Sequence, residues 1–451
     1  MLTREIQSTL SEMTDLNRLK QELNRLQAVD VGDYIADLAQ EKQAIAFRLL
    51  SKDHAIDVFE YLPPEVQEGL INSLHDNQIF QIMEAMRPDD RAELFDELPA
   101  KIVKRLLQQL STEERQATST ILGYPEGTAG RVMTTEYLRL RQGLTVEEAL
   151  NQIRLYGEGK ETIYYAYVTD DNRKLVRVVS LRQLLFSLPN AYLKDIASDR
   201  VIKTKTEMPQ EEVAQLMKRY DLIALPVVDR EDRLVGIVTI DDVVDIIEAE
   251  ATEDIQKLAG VSGGDEGAID SPLVTIRKRL PWLLGVMGLY IGAASAIAPF
   301  QKVIAEVPVL AVIMPIFSNT GGTVGIQALT VTIRGLGIGE VTPLDTFKIL
   351  RKEILAALAT ASALGLTLIL LSLIWTPPHS RWVAVIAGMV MAINVFIAVT
   401  LGTFLPMIFK GLNLDPALMS GPLVTTSLDA VGFVIFLSSV SIALNVFHLS
   451  A

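Results

Sequence analysis

The sequence predicts a multidomain membrane protein. It has an all-α N-terminal helical-repeat domain, an α/β tandem pair, a connecting helix and an all-α transmembrane domain of five helices. Three observations carry this reading: charge is divided unevenly along the 451 residues, two internal repeats occupy the first part, and five long apolar stretches occupy the second. The length alone exceeds one ordinary domain.

The charge split comes first. Residues 271–451 hold six acids and ten Lys/Arg, which leaves 49 of the 55 acids and 31 of the 41 bases in residues 1–270. The first part therefore carries −18 and the second +4. So acidic a surface argues against nucleic acid as a partner, and divalent cations suit it better. There is no cysteine, so disulfides, thiolate metal sites and cysteine nucleophiles are excluded. The four histidines (His54, His75, His379, His448) are scattered, which argues against an imidazole zinc site.

The helical-repeat domain rests on a period. Leu50, Leu62, Leu74, Met86, Leu98, Leu110 and Leu122 fall every 12 residues. Several introduce helix starts, "LPPEVQ", "MRPDDRAE", "LPAKIV" and "LSTEER", in which proline or serine precedes acids. Short helices stacked in a superhelical array are expected.

The tandem pair rests on a second repeat. "VTDDNRKLVRVVSLRQLL" from Val168 matches "VVDREDRLVGIVTIDDVV" from Val227 at a constant offset of 59. Each copy reads strand, acidic turn, strand, helix, and amphipathic helices "TVEEALNQIRLY" and "QEEVAQLMKRYD" precede them. The connecting helix follows as "DDVVDIIEAEATEDIQKLAG", Asp241–Gly260, dense in acids and ended by "SGGDEGAIDSP".

The transmembrane domain rests on apolar runs near 281–300, 310–335, 354–376, 382–409 and 419–447, each long enough for the roughly 20 residues a bilayer requires. The second is interrupted by "SNTGGTVG", Ser318–Gly325, where Gly321, Gly322 and Gly325 suit close helix packing. No signal-peptide pattern opens the chain, so residues 1–270 are expected in the cytoplasm. With that start, Arg277, Lys278, Arg279, Arg334, Lys348, Arg351, Lys352 and Lys410 flank the inner side, and only Lys302 and Arg381 the outer. The bias agrees with five spans of a cell-membrane protein whose C-terminus lies outside.

In the last run one carboxylate, Asp429, stands with no base near it in sequence. A charge at that depth costs roughly 2.5–3.5 kcal/mol on insertion scales and marks a functional site by default. Gly421, Pro422, Thr425 and Thr426 lie one to two turns before it and offer carbonyls and hydroxyls to a hydrated ion.

With these parts in order, the sequence resembles the MgtE family of magnesium channels over nearly the whole chain. The tandem copies resemble CBS domains. The likeness is strongest at "LPVVDREDRLVGIVTIDDVVDIIEAEATEDIQKLAG", "TGGTVGIQALTVTIRGLGIGE" and "DPALMSGPLVTTSLD". Domain boundaries on this basis are 1–130 (helical), 131–197 and 198–245 (CBS copies), 246–270 (connecting helix and linker) and 271–451 (transmembrane).

The resemblance implies a homodimer in a lipid bilayer, with an ion path between the two membrane halves. It places the pore aspartate at Asp429 and a further lining position at Thr323, where the family pattern usually has asparagine. A carboxylate paired with its copy in a wet pore need not be desolvated, and a few oxygens that leave Mg²⁺ its own waters respect its reluctance to dehydrate. The resemblance also implies regulatory Mg²⁺ held by Asp57, Asp89 and Glu93, by Glu211 and Asp221, and by Asp242, Asp245, Glu250, Glu253 and Asp254. One family acid is replaced by Pro209. Uptake would then be closed by the ion it delivers. ATP at the CBS pair is a further implication, through Thr239 and Asp242, although Gln183 stands where an aspartate would help in the first copy.

Three other readings compete, of which a sensor or scaffold without transport leaves Asp429 unexplained. A transporter coupled to H⁺ or Na⁺ calls for several intramembrane acids or histidines, and only Asp429 lies well inside a span. An enzyme is disfavoured because no "HExxH", "GxSxG" or Walker motif is present.

Overall fold

The computed structural model describes residues 16–449 apart from 74–75, 265, 269–270, 413 and 419–420. The repeat position Leu74, the opening residues 1–15 and the expected span start at 419–420 lie outside the described residues. The chain forms two compact units, Met1–Ile246 and Ile247–Ala451.

The first unit opens with short helices: α1 (Leu16–Leu23), α2 (Ala28–Ala36), α3 (Gln40–Arg48), α4 (Lys52–Glu60), α5 (Pro64–Ser73), α6 (Asp76–Ala85), α7 (Pro88–Glu97), α8 (Ala100–Gln109) and α9 (Thr112–Leu122). From α4 onward they start at residues 52, 64, 76, 88, 100 and 112, which is the 12-residue period. Leu62, Met86, Leu98 and Leu110 each fall in the turn after a helix and are buried in one core. Helix starts follow the expected chemistry. Pro64 and Pro88 open α5 and α7 with acids in the first turn, and the Ser111 hydroxyl caps α9 by accepting from the Glu114 amide. Several helices pack on the next but one, α2 on α4, α3 on α5, α4 on α6, α6 on α8 and α7 on α9, which is a superhelical stack.

A buried cation ties two of these turns. The Arg91 side chain on α7 is fully buried, and its guanidinium donates to Glu114 Oε2 at 2.8 Å, to Thr118 Oγ1 at 3.2 Å and to the Met86 carbonyl. Burial of an arginine is tolerable only with such pairing.

The α/β part repeats itself. After α10 (Ala129–Val132) come β1 (Arg139–Arg141), α11 (Val146–Tyr156), β2 (Tyr165–Thr169), β3 (Leu175–Ser180), α12 (Leu181–Phe186) and α13 (Leu193–Ile196). The second copy gives β4 (Thr204–Lys205), α14 (Gln210–Tyr220), β5 (Ala224–Val228), β6 (Leu234–Thr239) and α15 (Ile240–Ala259). Each sheet has a parallel first pair and an antiparallel second pair. The register pairs Val168 with Arg177 in one copy and Val227 with Gly236 in the other, so the offset of 59 persists in the ladder. It persists in the turns too, where Arg173 and Asp232 both take positive φ. The copies join through reciprocal bonds of 3.1 Å, Leu175 N to Asp232 O and Leu234 N to Arg173 O.

The second unit holds the C-terminal half of α15 and an apolar bundle: α16 (Pro272–Ile297), α17 (Gln301–Glu306), α18 (Leu310–Gly337), α19 (Thr346–Trp375), α20 (Arg381–Gly411) and α21 (Gly421–Leu449). Among the described residues four segments are long and apolar enough to cross a membrane, Pro272–Glu306, Pro343–Trp375, Arg381–Gly411 and Gly421–Val446. The expectation of five is therefore met in four. The remaining stretch, α18, is one continuous helix of 28 residues whose polar centre, Ser318–Thr323, lowers its apolarity. Thr320 and Thr323 stay within the helix by donating to the carbonyls of Ile316 and Asn319, both at 2.7 Å.

Glycine sets the packing distance in this unit. A Cβ at Gly365 would meet the Gly388 carbonyl at 2.6 Å, and one at Gly388 the Gly365 carbonyl at 2.5 Å, so α19 and α20 cross backbone to backbone. Gly402 of α20 stands in the same relation to the Gly325 carbonyl of α18, at 2.5 Å. The central α20 thus touches α18, α19 and α21, while α16 leaves Leu283, Leu284, Met287, Tyr290 and Ile291 exposed.

Candidate metal sites

Gly421, Thr425 and Asp429 recur every four residues and so form one stripe along α21. That stripe lies antiparallel along a matching stripe of α18. A Cβ at Gly421 would meet Ile326 at 3.4 Å, the Thr425 methyl lies 2.9 Å from a Cβ placed on Gly322, and the Ser318 hydroxyl faces the Asp429 carboxyl. Ser318, Gly322 and Ile326 are themselves four apart. The two glycines let the helices close until the stripes meet. Asp429 is half-buried at this seam, and its Oδ1 is buried without a hydrogen-bond partner.

The other expected lining residues are placed differently. Thr425 and Thr426 donate their hydroxyls to the Pro422 carbonyl, at 3.1 and 2.7 Å, and Thr426 is buried. Thr323 is exposed on α18, one residue round from the stripe, with its hydroxyl bonded to Asn319. Gly421 is buried, and a Cβ there would lie 3.3 Å from the Leu258 carbonyl at the end of α15. The connecting helix therefore ends against the start of the Asp429 stripe.

That end of α15 is held by charge. Lys257 Nζ donates to Asp415 Oδ2 at 2.7 Å and pairs with Glu253 one turn back. Burial pushes the ammonium down, but its bonds to Asp415 and Glu253 outweigh that and hold its pKa above the usual value. Glu253, expected as a metal ligand, is thus occupied by a cation of the chain itself. The Asp254 carboxylate lies close to Gly337, 3.4 Å from where its Cβ would be, and Glu250 lies in the same unit.

In the first unit, carboxylates from α4, α7, the loop before β2 and the start of α15 repel one another. Burial first, then Asp90, Asp57 and Glu161, raise Glu60 to about 7 against the pull of Arg87. Burial, then Asp90 and Asp242, push Asp89 well up. Burial raises Asp90 too, opposed by Arg87 and reinforced by Asp241 and Asp245. Asp242 reaches about 7 by burial, opposed by its bond from Thr239 and reinforced by Asp241 and Asp90. Arg87 supplies positive charge by pairing with Glu161 at 2.8 Å. Asp89 Oδ1 and Glu161 Oε2 are buried without a hydrogen-bond partner.

Of the expected regulatory acids, Asp57, Asp89, Asp242 and Asp245 belong to this face. Glu93 is exposed on α7. Glu211 and Asp221 stand at opposite ends of α14, about 15 Å apart along its axis at 1.5 Å per residue. Among the described residues no three His, Asp or Glu converge as a ready-made metal cluster. The face is coupled by repulsion rather than assembled as a chelate. Thr239 and Asp242 form a helix cap, with the Thr239 hydroxyl donating to Asp242 Oδ2 at 2.7 Å. Ser180 and Gln183 do the same in the first copy, so glutamine replaces aspartate without losing the cap.

Glu60, Asp90, Glu161 and Asp241 extend the acidic face beyond the residues the sequence singled out. Glu60 lies three residues after Asp57 on α4, hence on the same side, and that spacing was a usable signal. Glu161 follows an ordinary loop and carried none.

Comparison with known proteins decides the family. The chain is 35% identical over 440 residues to "Magnesium transporter MgtE" of Thermus thermophilus, covering 96% of each chain. The chain belongs to the MgtE family. The "Magnesium transporter MgtE" of Bacillus subtilis is 31% identical over 418 residues, covering 92% of this chain and 91% of that one. Family models match in order: "MgtE intracellular N domain" at 26–127, "CBS domain" at 129–190 and 193–249, and "MgtE: Divalent cation transporter" at 314–439. A solved structure, the cytosolic domain of the Mg²⁺ channel MgtE in complex with ATP, matches with a TM-score of 0.52 and 36% identity. It covers 54% of this chain and 100% of that one. MgtE proteins are transporters, so membership also places the chain outside the enzymes, and a multi-pass membrane unit follows an intracellular N-terminal domain.

Proposed function

We propose that this chain is a Mg²⁺ channel for uptake down the electrochemical gradient, working as a homodimer, with Asp429 at the ion path. The observation that carries the reading is the Asp429 stripe: a half-buried carboxylate with an unpartnered oxygen, seated on a glycine-lined seam of an MgtE membrane unit. Such a group is tolerable where it meets water and a cation. Its copy from a second chain doubles the charge, and the exposed apolar side of α16 leaves a face for lipid or for that copy. In this reading α18 is the fifth span, shielded by its neighbours despite its polar centre, and the C-terminus lies outside.

Regulation belongs to the same proposal. The donors of the cytosolic acidic face are oxygen-only, raised in pKa by burial and mutual repulsion, and include two buried oxygens without partners, which suits a hard dication. A bound dication supplies the positive charge that the face lacks. With that charge present, Glu60, Asp89, Asp90 and Asp242 hold the compact arrangement, and with it absent they repel and loosen it. In this reading α15, whose Leu258 lies against Gly421, closes the path when the cytosolic part is compact. ATP at the CBS pair belongs to the proposal as well, because the matching cytosolic domain was solved in complex with ATP.

The test is Mg²⁺ flux into liposomes. A membrane potential of about 100 mV gives roughly 2.3 kcal/mol per charge, enough to drive a dication without coupling. Flux should follow the potential and stay the same when a Na⁺ gradient is imposed or removed, or when pH is changed only on the side opposite the cytosolic domains. Flux that collapses with either gradient would favour the coupled transporter.

A further inference from the structure

Asn394 stands midway along α20, is 1% exposed, and neither its Nδ2 nor its Oδ1 has a hydrogen-bond partner. An unpaired amide in apolar surroundings is destabilising, and an apolar residue of like size would fill the space without that cost. The site is nevertheless built for the amide. A Cβ at Gly321 of α18 would overlap Nδ2, and one at Gly432 of α21 would stand 2.9 Å from Oδ1. Two helices thus yield side-chain space where the amide enters.

The polar groups of the ion site lie one turn away on both helices. Ser318 is three residues before Gly321, and Asp429 is three before Gly432. Helical positions three apart have Cβ atoms about 5–6 Å from one another. No direct bond joins the amide to Asp429 Oδ1, and a neighbour one turn away suits one bridging water. A water needs two to four polar partners, and Asn394 Nδ2, Asn394 Oδ1, Ser318 Oγ and Asp429 Oδ1 supply them.

We propose that Asn394 is a positioning residue of the ion site: its carboxamide, lodged between Gly321 and Gly432, binds water that hydrogen-bonds Asp429 and fixes the carboxylate toward a hydrated dication. The inference rests on the reading of Asp429 as the ion site. Its consequence is selectivity. A carboxylate held at one distance favours an ion of one hydrated size, and a carboxylate free to turn discriminates less.

The test uses the full chain in liposomes with Mg²⁺ and Mn²⁺, and thermal melting of the same samples in detergent. Asn394→Leu should melt at the same temperature or higher, because an unpaired amide is removed, yet lose about tenfold in Mg²⁺ flux and raise the Mn²⁺-to-Mg²⁺ flux ratio. Asn394→Ser keeps a hydroxyl and should retain most of the flux and the ratio. Wild-type flux and ratio in Asn394→Leu would overturn the proposal, as would flux and melting temperature falling together. If Asn394→Leu does not fold, an Asn394→Ser chain that folds but loses the wild-type flux and ratio overturns it. Asp429→Asn in the same assay separates the two readings. A dead Asp429→Asn beside a normal Asn394→Leu removes only this inference, whereas a normal Asp429→Asn removes the ion site itself.

Discussion

Replacing Asp429 with asparagine should cut Mg²⁺ flux by about 50- to 100-fold. The change keeps shape and removes one negative charge from the seam between α18 and α21. At an effective dielectric near 20, a dication and a carboxylate roughly 6 Å apart attract by about 5 kcal/mol. Water in the path halves that or more, and the remainder corresponds to the stated loss at about 1.4 kcal/mol per tenfold. Asp429→Glu retains the charge on a longer arm and should keep part of the flux. The measurement is uptake into liposomes loaded with a Mg²⁺-sensitive dye, normalised to reconstituted protein. Equal flux from Asp429→Asn and the intact chain would remove the charge from the account.

The second large effect is a trade between protons and Mg²⁺ on the cytosolic face. Glu60 and Asp242 sit at about 7 in the compact arrangement, above the ordinary 4.5 and 3.8. A raised carboxylate disfavours the arrangement that raises it wherever it is ionised, and the penalty is relieved as pH falls through the raised value. Without Mg²⁺, the compact form should therefore be weak at pH 8 and gain strength between pH 8 and pH 6. Added Mg²⁺ should matter most at pH 8, where the carboxylates are free to bind it, and least at pH 6, where it must displace protons. Limited proteolysis reads this directly, with several-fold slower cleavage at pH 6 than at pH 8 in Mg²⁺-free buffer. The double change Glu60→Gln with Asp90→Asn should give the pH 6 behaviour at pH 8. Cleavage independent of both pH and Mg²⁺ would contradict the repulsion.

What the sequence revealed was what repeats or runs locally. The 12-residue spacing of Leu62, Met86, Leu98 and Leu110 marks helix ends because each must bury one apolar residue in the turn before the next helix starts. The offset of 59 survives into the strand registers because the same hydrophobic alternation and the same acidic turn, at Asp170 and Asp229, specify both copies. Asp429 stands out as a candidate because a lone acid in an apolar run has so few structural explanations.

What stayed hidden depends on chain segments far apart. Nothing near Glu253 foretells that Lys257 also reaches Asp415, 158 residues on. Glu161 joins the acidic face only because its loop meets Arg87, in the turn before α7 and 74 residues earlier. Asn394 reads as one polar residue in an apolar helix until Gly321 and Gly432 are found on either side of it. Ser318 looked like a break in a span, and its place opposite Asp429 emerges only when α18 and α21 lie antiparallel.

The central claim is that acids on the cytosolic side count the same ion that Asp429 conducts. Its most direct test is Mg²⁺ flux recorded while free Mg²⁺ is stepped on the side of the cytosolic domains alone, at constant driving force. The account predicts that flux falls as that concentration rises, and that Glu60→Gln with Asp90→Asn flattens the response. Flux through the intact chain that ignores Mg²⁺ on that side would contradict it.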